Sequence, residues 1–263
     1  MQNVENSSSE KFRGLNLDDS LSLKEDRRAE CAEYLKVFPN DLPTEAVATS
    51  KAWRNTWLEK AYQGVEDDEG AARAASSVSR EWAIRFLVGQ CLYPYASAIN
   101  FHLGSFQTTG ENWRFLDYGC GAGDIALYVA REGHPVVICD LSPGNLDLAA
   151  WRFNRRDMCY TAIPTTAEEP YPVLPKVEYA LSSAVLEHLA RPDEAIRRIA
   201  DAVIPGGYFV ESQFLERPAN VGGDHLQSAA DRRELTLTVV NEYFYGVGQQ
   251  KMAGVPVTIW RRK

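Results

Sequence analysis

Three glycines spaced two residues apart follow a short apolar run and could bring a ligand against the main chain. A strand is predicted over 114–118, and in the segment FLDYGCGAGD it is followed by Gly119, Gly121 and Gly123 and then by the start of a helix. Glycine has no Cβ, so a turn of this kind bends sharply and lets a ligand approach the backbone closely. Structural turns use the same residues, so the glycines alone only nominate a site.

A carboxylate at the end of the next apolar run gives the turn a chemical partner. The run VVIC ends in Asp140. Because the carboxyl ends of neighbouring parallel strands face one crevice, Asp140 is expected beside the glycines, where it could accept both hydroxyls of a ribose. Such a charge-assisted contact contributes about 1.5–3 kcal/mol. The two features together predict a ligand that contains a nucleoside.

The residue at the start of the following helix narrows the choice of nucleoside. The dinucleotide fingerprint requires a third glycine three residues after the second, and Asp124 stands at that position. A pyrophosphate at this helix start would meet a like charge. The spacing therefore argues against NAD and FAD and favours a cationic ligand without phosphates.

Four segments together resemble the class I S-adenosylmethionine-dependent methyltransferases, particularly those that act on small molecules. The segments are LDYGCGAGD, CDLSPGNLDLA, SSAVLEHLARPDEAI and IPGGYFVES, and they fall in order between about Trp113 and Ser212. The resemblance implies a Rossmann-like sheet, S-adenosylmethionine as cofactor and a transferase that methylates a small-molecule acceptor.

The resemblance also implies a set of cofactor-binding residues in the turns that follow the strands. The glycines would line the methionine and ribose, and Asp140 would hold the ribose hydroxyls. Thr166 stands where the family usually carries an aspartate against the adenine amino group. The set comprises Asp117 supporting the turn, Gly119, Gly121, Gly123, Asp140, Leu141, Thr166 and Ala167 near the adenine, and Ser182 and Leu186 beside the methionine.

His188 has two interpretations. As an imidazole that titrates near neutrality, it could be a catalytic general base that takes a proton from the acceptor. Alternatively, Glu187 and His188 stabilise a short helix and brace the sheet, because the resembling family carries such a pair in enzymes with unrelated acceptors. His102 and His225 have no partner at the spacing typical of metal ligands, so no metal is expected.

Aromatic residues before the first glycine supply the other catalytic candidates. In the resembling family this segment often folds over the cofactor as a lid, and an aromatic face over a desolvated sulfonium gains about 2 kcal/mol. Tyr93 and Tyr95 are the residues chosen for this role, with Phe101 beside them.

The elements that must position these residues divide the chain into three parts. Residues 1–20 are predicted to form a disordered tail and 21–112 a helical cap. Residues 113–263 are predicted to form the catalytic domain, in which alternating strands and helices indicate a mostly parallel sheet covered on both faces. The runs 235–245 and 255–260 are predicted as the two strands of a terminal antiparallel hairpin.

Composition excludes several other classes of protein. The chain has 263 residues, 45% of them hydrophobic, and a formal net charge of −8, so it has no general attraction for nucleic acid or anionic membranes. It shows neither a signal peptide nor a membrane span, and a cytoplasmic location is expected. Its five cysteines form no CxxC pair, which argues against a disulfide framework and a zinc site.

Two other functions remain open for the same pocket. If the cap excludes acceptors, the amine of S-adenosylmethionine could attack its own γ carbon, which would give azetidine-2-carboxylate and methylthioadenosine. Alternatively, the chain could be a non-catalytic partner protein that binds the cofactor without turnover. Methylation of nucleic acid is less favoured, because the fourth strand ends in SSAV and lacks an Asn/Asp-Pro-Pro-aromatic motif. The oligomeric state is left open.

Overall fold

The computed structural model describes residues 30, 33–34, 60–77, 113–212, 214–215, 225–252 and 255–263. Within these residues, seven strands form one sheet in the order β3-β2-β1-β4-β5-β7-β6. The strands are β1 (Phe115–Tyr118), β2 (Val136–Asp140), β3 (Thr161–Pro164), β4 (Val177–Ser183), β5 (Val203–Ser212), β6 (Phe244–Met252) and β7 (Val255–Arg262). The helices are α1 (Asp68–Ser77), α2 (Asp124–Arg131), α3 (Pro143–Asn154), α4 (Pro192–Ala202), α5 (Gln227–Asp231) and α6 (Arg233–Tyr243).

The first five strands are parallel, and the last two run antiparallel to their neighbours. Strand β1 lies between β2 and β4, and β7 pairs antiparallel with both β5 and β6. Every residue of β1 and β2 is buried, as expected for central parallel strands covered by helices on both faces. The predicted Rossmann-like α/β fold with an antiparallel C-terminal hairpin is therefore confirmed.

The predicted position of the hairpin strands was wrong at one end. Residues 235–245 were predicted as a strand, but 233–243 form α6 and the strand begins at Phe244. The Leu-Thr alternation and the β-branched residues favoured a strand locally. In the structure Thr236, Val239 and Val240 are the buried residues of α6, which is helical spacing, so packing of this face overrides the local preference.

Helix α3 begins at residues whose types favour a helix start. Ser142 has extended backbone angles, and its hydroxyl accepts a hydrogen bond from the Asn145 N–H at 3.4 Å. Pro143 occupies the first turn, where its missing N–H removes no intrahelical bond. This cap fixes the helix start directly after Asp140, at the carboxyl end of β2.

A buried ion-pair network attaches the N-terminal segment to α3. The Arg152 side chain is 1% exposed, and its guanidinium lies 3.1 Å from a carboxylate oxygen of Glu30, which is fully buried. Arg156 also pairs with Glu30, and Arg155 pairs with Glu33 at the surface. Tyr34 packs edge-on against Trp151. This N-terminal segment therefore packs against the sheet-covering helix through charge as well as aromatic contact.

A second attachment joins α1 to the sheet domain. Asp68 accepts hydrogen bonds from the Tyr171 hydroxyl and from the Arg191 guanidinium, the latter at 2.6 Å. The alanines of α1 are buried. Residues 1–20 and most of 21–112 lie outside the described residues, so the tail and the cap stay predictions. Among the helices in the described ranges, none has the length and apolar character to cross a membrane.

Candidate functional site

The glycine turn connects the carboxyl end of β1 to α2 in a left-handed backbone conformation. Gly119, Gly121 and Gly123 have φ angles of 81°, 53° and 75°. A Cβ added to Gly119 would lie 2.1 Å from Cγ2 of Val185, and one added to Gly123 would lie 3.0 Å from Cβ of Ala149. The packing of the turn therefore excludes a Cβ at Gly119 and leaves little room for one at Gly123.

Replacing Gly119 with alanine is expected to disrupt this turn. The variant meets both the unfavourable φ, which costs about 1–2 kcal/mol, and the overlap with Val185. Gly133→Ala is the matched control, because Gly133 has φ of 91° but no neighbouring atom within 4 Å of the added Cβ. Thermal unfolding should show a clearly larger loss of stability for Gly119→Ala. Equal losses would mean that backbone conformation alone requires the glycine.

The carboxylate of Asp140 bridges the glycine turn and the start of α3. One oxygen accepts from the Gly121 N–H at 2.8 Å, and the other accepts from the Ser142 N–H at 2.8 Å and from the Asn145 side-chain amide at 3.3 Å. A carboxylate offers about four acceptor positions, so one position remains, on the oxygen that faces Gly121. A ligand hydroxyl can bind there without displacing a protein contact. Binding two hydroxyls would require one of the three donors to give way.

Burial makes the acids at this edge of the sheet harder to ionise. The pKa of Asp140 is raised to about 6 by burial, against the lowering effect of its hydrogen bonds and of nearby His188. The pKa of Asp117, which lies beneath the turn, is raised to about 7, again mostly by burial and in part by the charges of Asp140 and Asp124. Proton occupancy of the pair therefore changes between about pH 6 and 7, close to neutrality.

Asp124 does not present the uncompensated charge that its position in the sequence suggested. One of its oxygens lies 2.9 Å from the Arg152 guanidinium, which also donates to the Ala122 carbonyl oxygen. Burial lowers the pKa of Arg152, but Asp124 and Glu30 outweigh this effect and raise it above its usual value. Because Arg152 stays charged, the repulsion expected between Asp124 and a phosphate is largely cancelled. The missing third glycine remains as the sequence argument against a dinucleotide.

The residues expected near the adenine lie on the β3 side of Asp140. Thr166 is exposed and its hydroxyl accepts a hydrogen bond from the Glu169 N–H at 3.0 Å, while Ala167 and Leu141 are half-buried. The neighbouring Thr165 is buried and donates to the Asp140 carbonyl oxygen at 2.8 Å. Sequence reasoning missed Thr165, although a threonine directly after a strand signal could have pointed to it.

The end of β4 carries buried polar atoms and backbone strain. Ser182 is 1% exposed, and its hydroxyl oxygen has no hydrogen-bond partner in the described part of the chain. Ala184 has φ of 55°, which is uncommon for a residue with a Cβ and costs about 1–3 kcal/mol. Leu186, expected beside the methionine, belongs to the apolar core with 1% exposure. Backbone strain and a buried hydroxyl without a partner are typical of a ligand-binding site, and here both lie at the carboxyl end of β4.

His188 lies in a short 3₁₀ helix, Leu186–His188, that follows this strand end. Its ring packs edge-on against His225, with centroids 5.0 Å apart, and both rings are partly exposed. The backbone N–H of Leu226 donates to the Glu187 carbonyl oxygen at 2.9 Å, which brings the chain at His225 close to the 3₁₀ helix. Sequence spacing gave no signal of this contact. Tyr93, Tyr95, Phe101 and His102 lie outside the described residues.

Comparison with known proteins shows which protein family the sheet region resembles. A family described as "Methyltransferase domain" matches residues 116–210, which run from β1 through most of β5. The chain carries a class I S-adenosylmethionine-dependent methyltransferase domain. A ubiquinone biosynthesis O-methyltransferase of Caulobacter sp. (strain K31) is 32% identical to it over 114 residues, covering 41% of this chain and 43% of that protein. The corresponding protein of Cereibacter sphaeroides (strain ATCC 17025 / ATH 2.4.3) is 30% identical over 108 residues, with 41% and 44% covered. The chain thus matches less than half the length of these curated relatives.

Solved structures share the fold of the methyltransferase domain. A putative methyltransferase in complex with the Haloferax volcanii Trm112 methyltransferase activator aligns with a TM-score of 0.53 at 16% identity, over 70% of this chain and 96% of the solved one. The [4+2]-cyclase SpnF aligns with a TM-score of 0.50 at 18% identity, over 64% and 80%. At these identities the likeness establishes the fold alone.

The described residues of the methyltransferase domain fit its cofactor, S-adenosylmethionine. Asp140 retains an acceptor position for a ribose hydroxyl beside the Gly121 backbone. The Asn145 side-chain oxygen and the Ser182 hydroxyl are buried polar atoms with no partner among the described residues, so donors and acceptors of a ligand could pair with them. The crevice edge combines ionisable carboxylates with unpartnered polar atoms, which suits a cationic ligand with hydroxyl and amine groups.

Proposed function

We propose that the chain transfers the methyl group of S-adenosylmethionine to a small-molecule acceptor. The observation that carries this proposal is the hydrogen bond from the Gly121 N–H to Asp140, which joins the glycine turn to the ribose-binding acid in a methyltransferase domain. The names of the sequence relatives, which are O-methyltransferases of ubiquinone biosynthesis, support a hydroxyl acceptor. The acidic net charge supports a small molecule rather than a nucleic acid.

Different residues of the chain would bind different parts of the cofactor and orient it toward the acceptor. When bound, the cofactor supplies a methyl group on a positively charged sulfur, which is already a good leaving group. Asp140 would fix the ribose, Leu141 and Ala167 would cover the adenine, and Ser182 would bind the polar end of the methionine. Orienting two reactants and excluding water then contributes most of the rate enhancement. An elaborate set of catalytic side chains is not required.

His188 is the described side chain that best suits the remaining task, which is to accept the proton released by a hydroxyl acceptor. It is partly exposed at the carboxyl end of β4 and lies close enough to Asp140 for its charge to lower the pKa of that acid. An imidazole has the right pKa for proton transfer near neutral pH. Tyr93 and Tyr95 remain proposals as aromatic residues that contact the sulfonium.

Incubation with S-adenosylmethionine, first alone and then with added acceptors, tests the proposed function. We expect no product from the cofactor alone, and S-adenosylhomocysteine once a phenolic or catecholic acceptor is supplied, both measured by liquid chromatography and mass spectrometry. Formation of azetidine-2-carboxylate and methylthioadenosine without an acceptor would contradict methyl transfer and show that the chain is a cyclase. Tight cofactor binding without turnover across hydroxyl, amine and thiol acceptors would instead indicate a non-catalytic binding protein.

A further inference from the structure

Three metal-ligating side chains meet at the carboxyl end of β4, although they come from two distant parts of the sequence. One ligand atom each from Glu187, His188 and His225 can be chosen so that all three lie within 4.8 Å of one another. The 3₁₀ helix supplies the first two residues. The hydrogen bond from Leu226 to the Glu187 carbonyl oxygen, together with burial of the Leu226 side chain, places His225 opposite them.

The Glu187 carboxylate supplies an independent sign that a ligand is missing from this cluster. Its side chain is 8% exposed, and its Oε2 atom has no hydrogen-bond partner among the described residues. A buried carboxylate oxygen without a partner is costly, because the group has lost its water without gaining a donor or a cation. A positively charged ion beside the two imidazoles would remove this cost.

The donor set selects the class of ion. Two imidazoles and one carboxylate are typical of zinc sites that keep an open position, whereas Mg²⁺ and Ca²⁺ prefer oxygen ligands. Bonds of about 2.1 Å in tetrahedral geometry place ligand atoms about 3.4 Å apart. The observed separations of up to 4.8 Å are therefore closed by side-chain movements of about an ångström. His188 and His225 are partly exposed, so an ion can enter from solvent.

We infer that Glu187, His188 and His225 form a binding site for one divalent transition-metal ion of the Zn²⁺ class. The site borders the cofactor crevice, since Val185, two residues before Glu187, lies against Gly119. Three protein ligands leave the fourth position of the ion for an outside oxygen. If the methyl transfer proposed above is correct, that oxygen would be the acceptor hydroxyl. The ion would stabilise its deprotonated form, the proton would pass to solvent water, and the oxygen would take the methyl group while sulfur keeps the electron pair of the broken bond. His188 would then be a ligand and not the general base, because neutral imidazole has one nitrogen lone pair.

Titration calorimetry of the whole chain with Zn²⁺, after treatment with a chelator, tests the site without any need for methyl transfer. We expect one ion per chain in the wild type. Binding should weaken at least about 100-fold in His225→Ala and in Glu187→Gln, because even loss of outer hydrogen bonds around a metal costs 10- to 100-fold. His134→Ala is the matched control: His134 lies two residues before β2, at the amino end of the parallel strands and away from the cluster, so Zn²⁺ binding should be unchanged.

Two further measurements make the result decisive. Far-UV circular dichroism must show that both ligand variants are folded, and the more conservative Glu187→Gln keeps the shape of the side chain. Co²⁺ as a spectroscopic probe should give a tetrahedral spectrum without a thiolate charge-transfer band, which excludes the exposed Cys159 as the ligand. Absence of Zn²⁺ binding, equal binding in wild type and His225→Ala, or a thiolate band would each overturn the proposal. If Zn²⁺ binds as expected but no acceptor is methylated, the metal site stands and the proposed function fails.

Discussion

Asp140→Ala is expected to weaken binding of S-adenosylmethionine about 10- to 100-fold. The substitution removes a charge-assisted hydrogen bond to the ribose, which contributes about 1.5–3 kcal/mol. It also removes the acceptor that holds the Gly121 and Ser142 N–H groups, so the glycine turn loses its link to α3. Equilibrium binding of the cofactor, measured by calorimetry, gives the size of the loss.

The matched control for charge is Asp147→Ala. Asp147 lies on the exposed face of α3, the helix that follows Asp140. This variant therefore removes a nearby carboxylate without changing the crevice. Cofactor affinity should stay within about twofold of wild type, as is usual for exposed positions. Asp140→Ala protein that binds the cofactor as well as wild type would refute the assignment of Asp140 to the ribose.

The same carboxylate should make cofactor binding depend on pH. The ionised form accepts ribose hydroxyls, and the pKa of Asp140 is raised to about 6, so affinity should be high above pH 7 and fall as the pH drops through 6. Asp117, whose pKa is raised to about 7, also titrates nearby and remains in Asp140→Ala. The pH dependence should be weaker in Asp140→Ala than in wild type, and loss of the Asp140 charge also lowers the pKa of Asp117. A wild-type affinity that is constant from pH 5 to 8 would contradict this role.

Arg152→Met is expected to destabilise the folded protein by about 3–5 kcal/mol. The guanidinium is the cation shared by Glu30 and Asp124, and removing it leaves two carboxylates inside the protein with less compensation. Methionine keeps much of the side-chain volume, so the loss reports charge more than packing. Chemical unfolding followed by circular dichroism should show the decrease.

The neighbouring ion pair provides the control for Arg152. Arg155 and Glu33 are 31% and 53% exposed at their side chains, so Arg155→Met should cost no more than about 1 kcal/mol. Combining Arg152→Met with Glu30→Gln and Asp124→Asn removes the buried charges together and should recover part of the stability. Equal effects of Arg152→Met and Arg155→Met would show that the buried network does not hold the fold.

The sheet elements that depend on local signals could be predicted from the sequence. Ser142 and Pro143 mark the start of helix 143–154, and the strand predicted before the glycines ends at Tyr118 as expected. Helix α6 could not be predicted in this way. Its β-branched residues favour a strand locally, and only burial of one face against the rest of the domain makes it helical.

The candidate site was predictable where it lies along neighbouring strands. Parallel strands bring Gly121 and Asp140 to one edge, so their contact followed from spacing alone. The pairing of Arg152 with Glu30 and the approach of His225 to Glu187 depend on chain segments that return from far away in sequence. No local pattern predicts such contacts, because periodicity and spacing describe only residues that are close together in sequence.

The ion pair between Glu30 and Arg152 also bears on where this protein can be divided. The match to the methyltransferase-domain family begins at residue 116, which invites excision of a minimal fragment from that point. Such a fragment would lack Glu30 and the Asp68 side chain that binds Tyr171 and Arg191. It would expose Arg152, 1% exposed in the whole chain, and the helix face around it. We therefore expect a fragment that starts at residue 116 to be less stable than the chain that includes Glu30 and Asp68, so excision should begin upstream of Glu30.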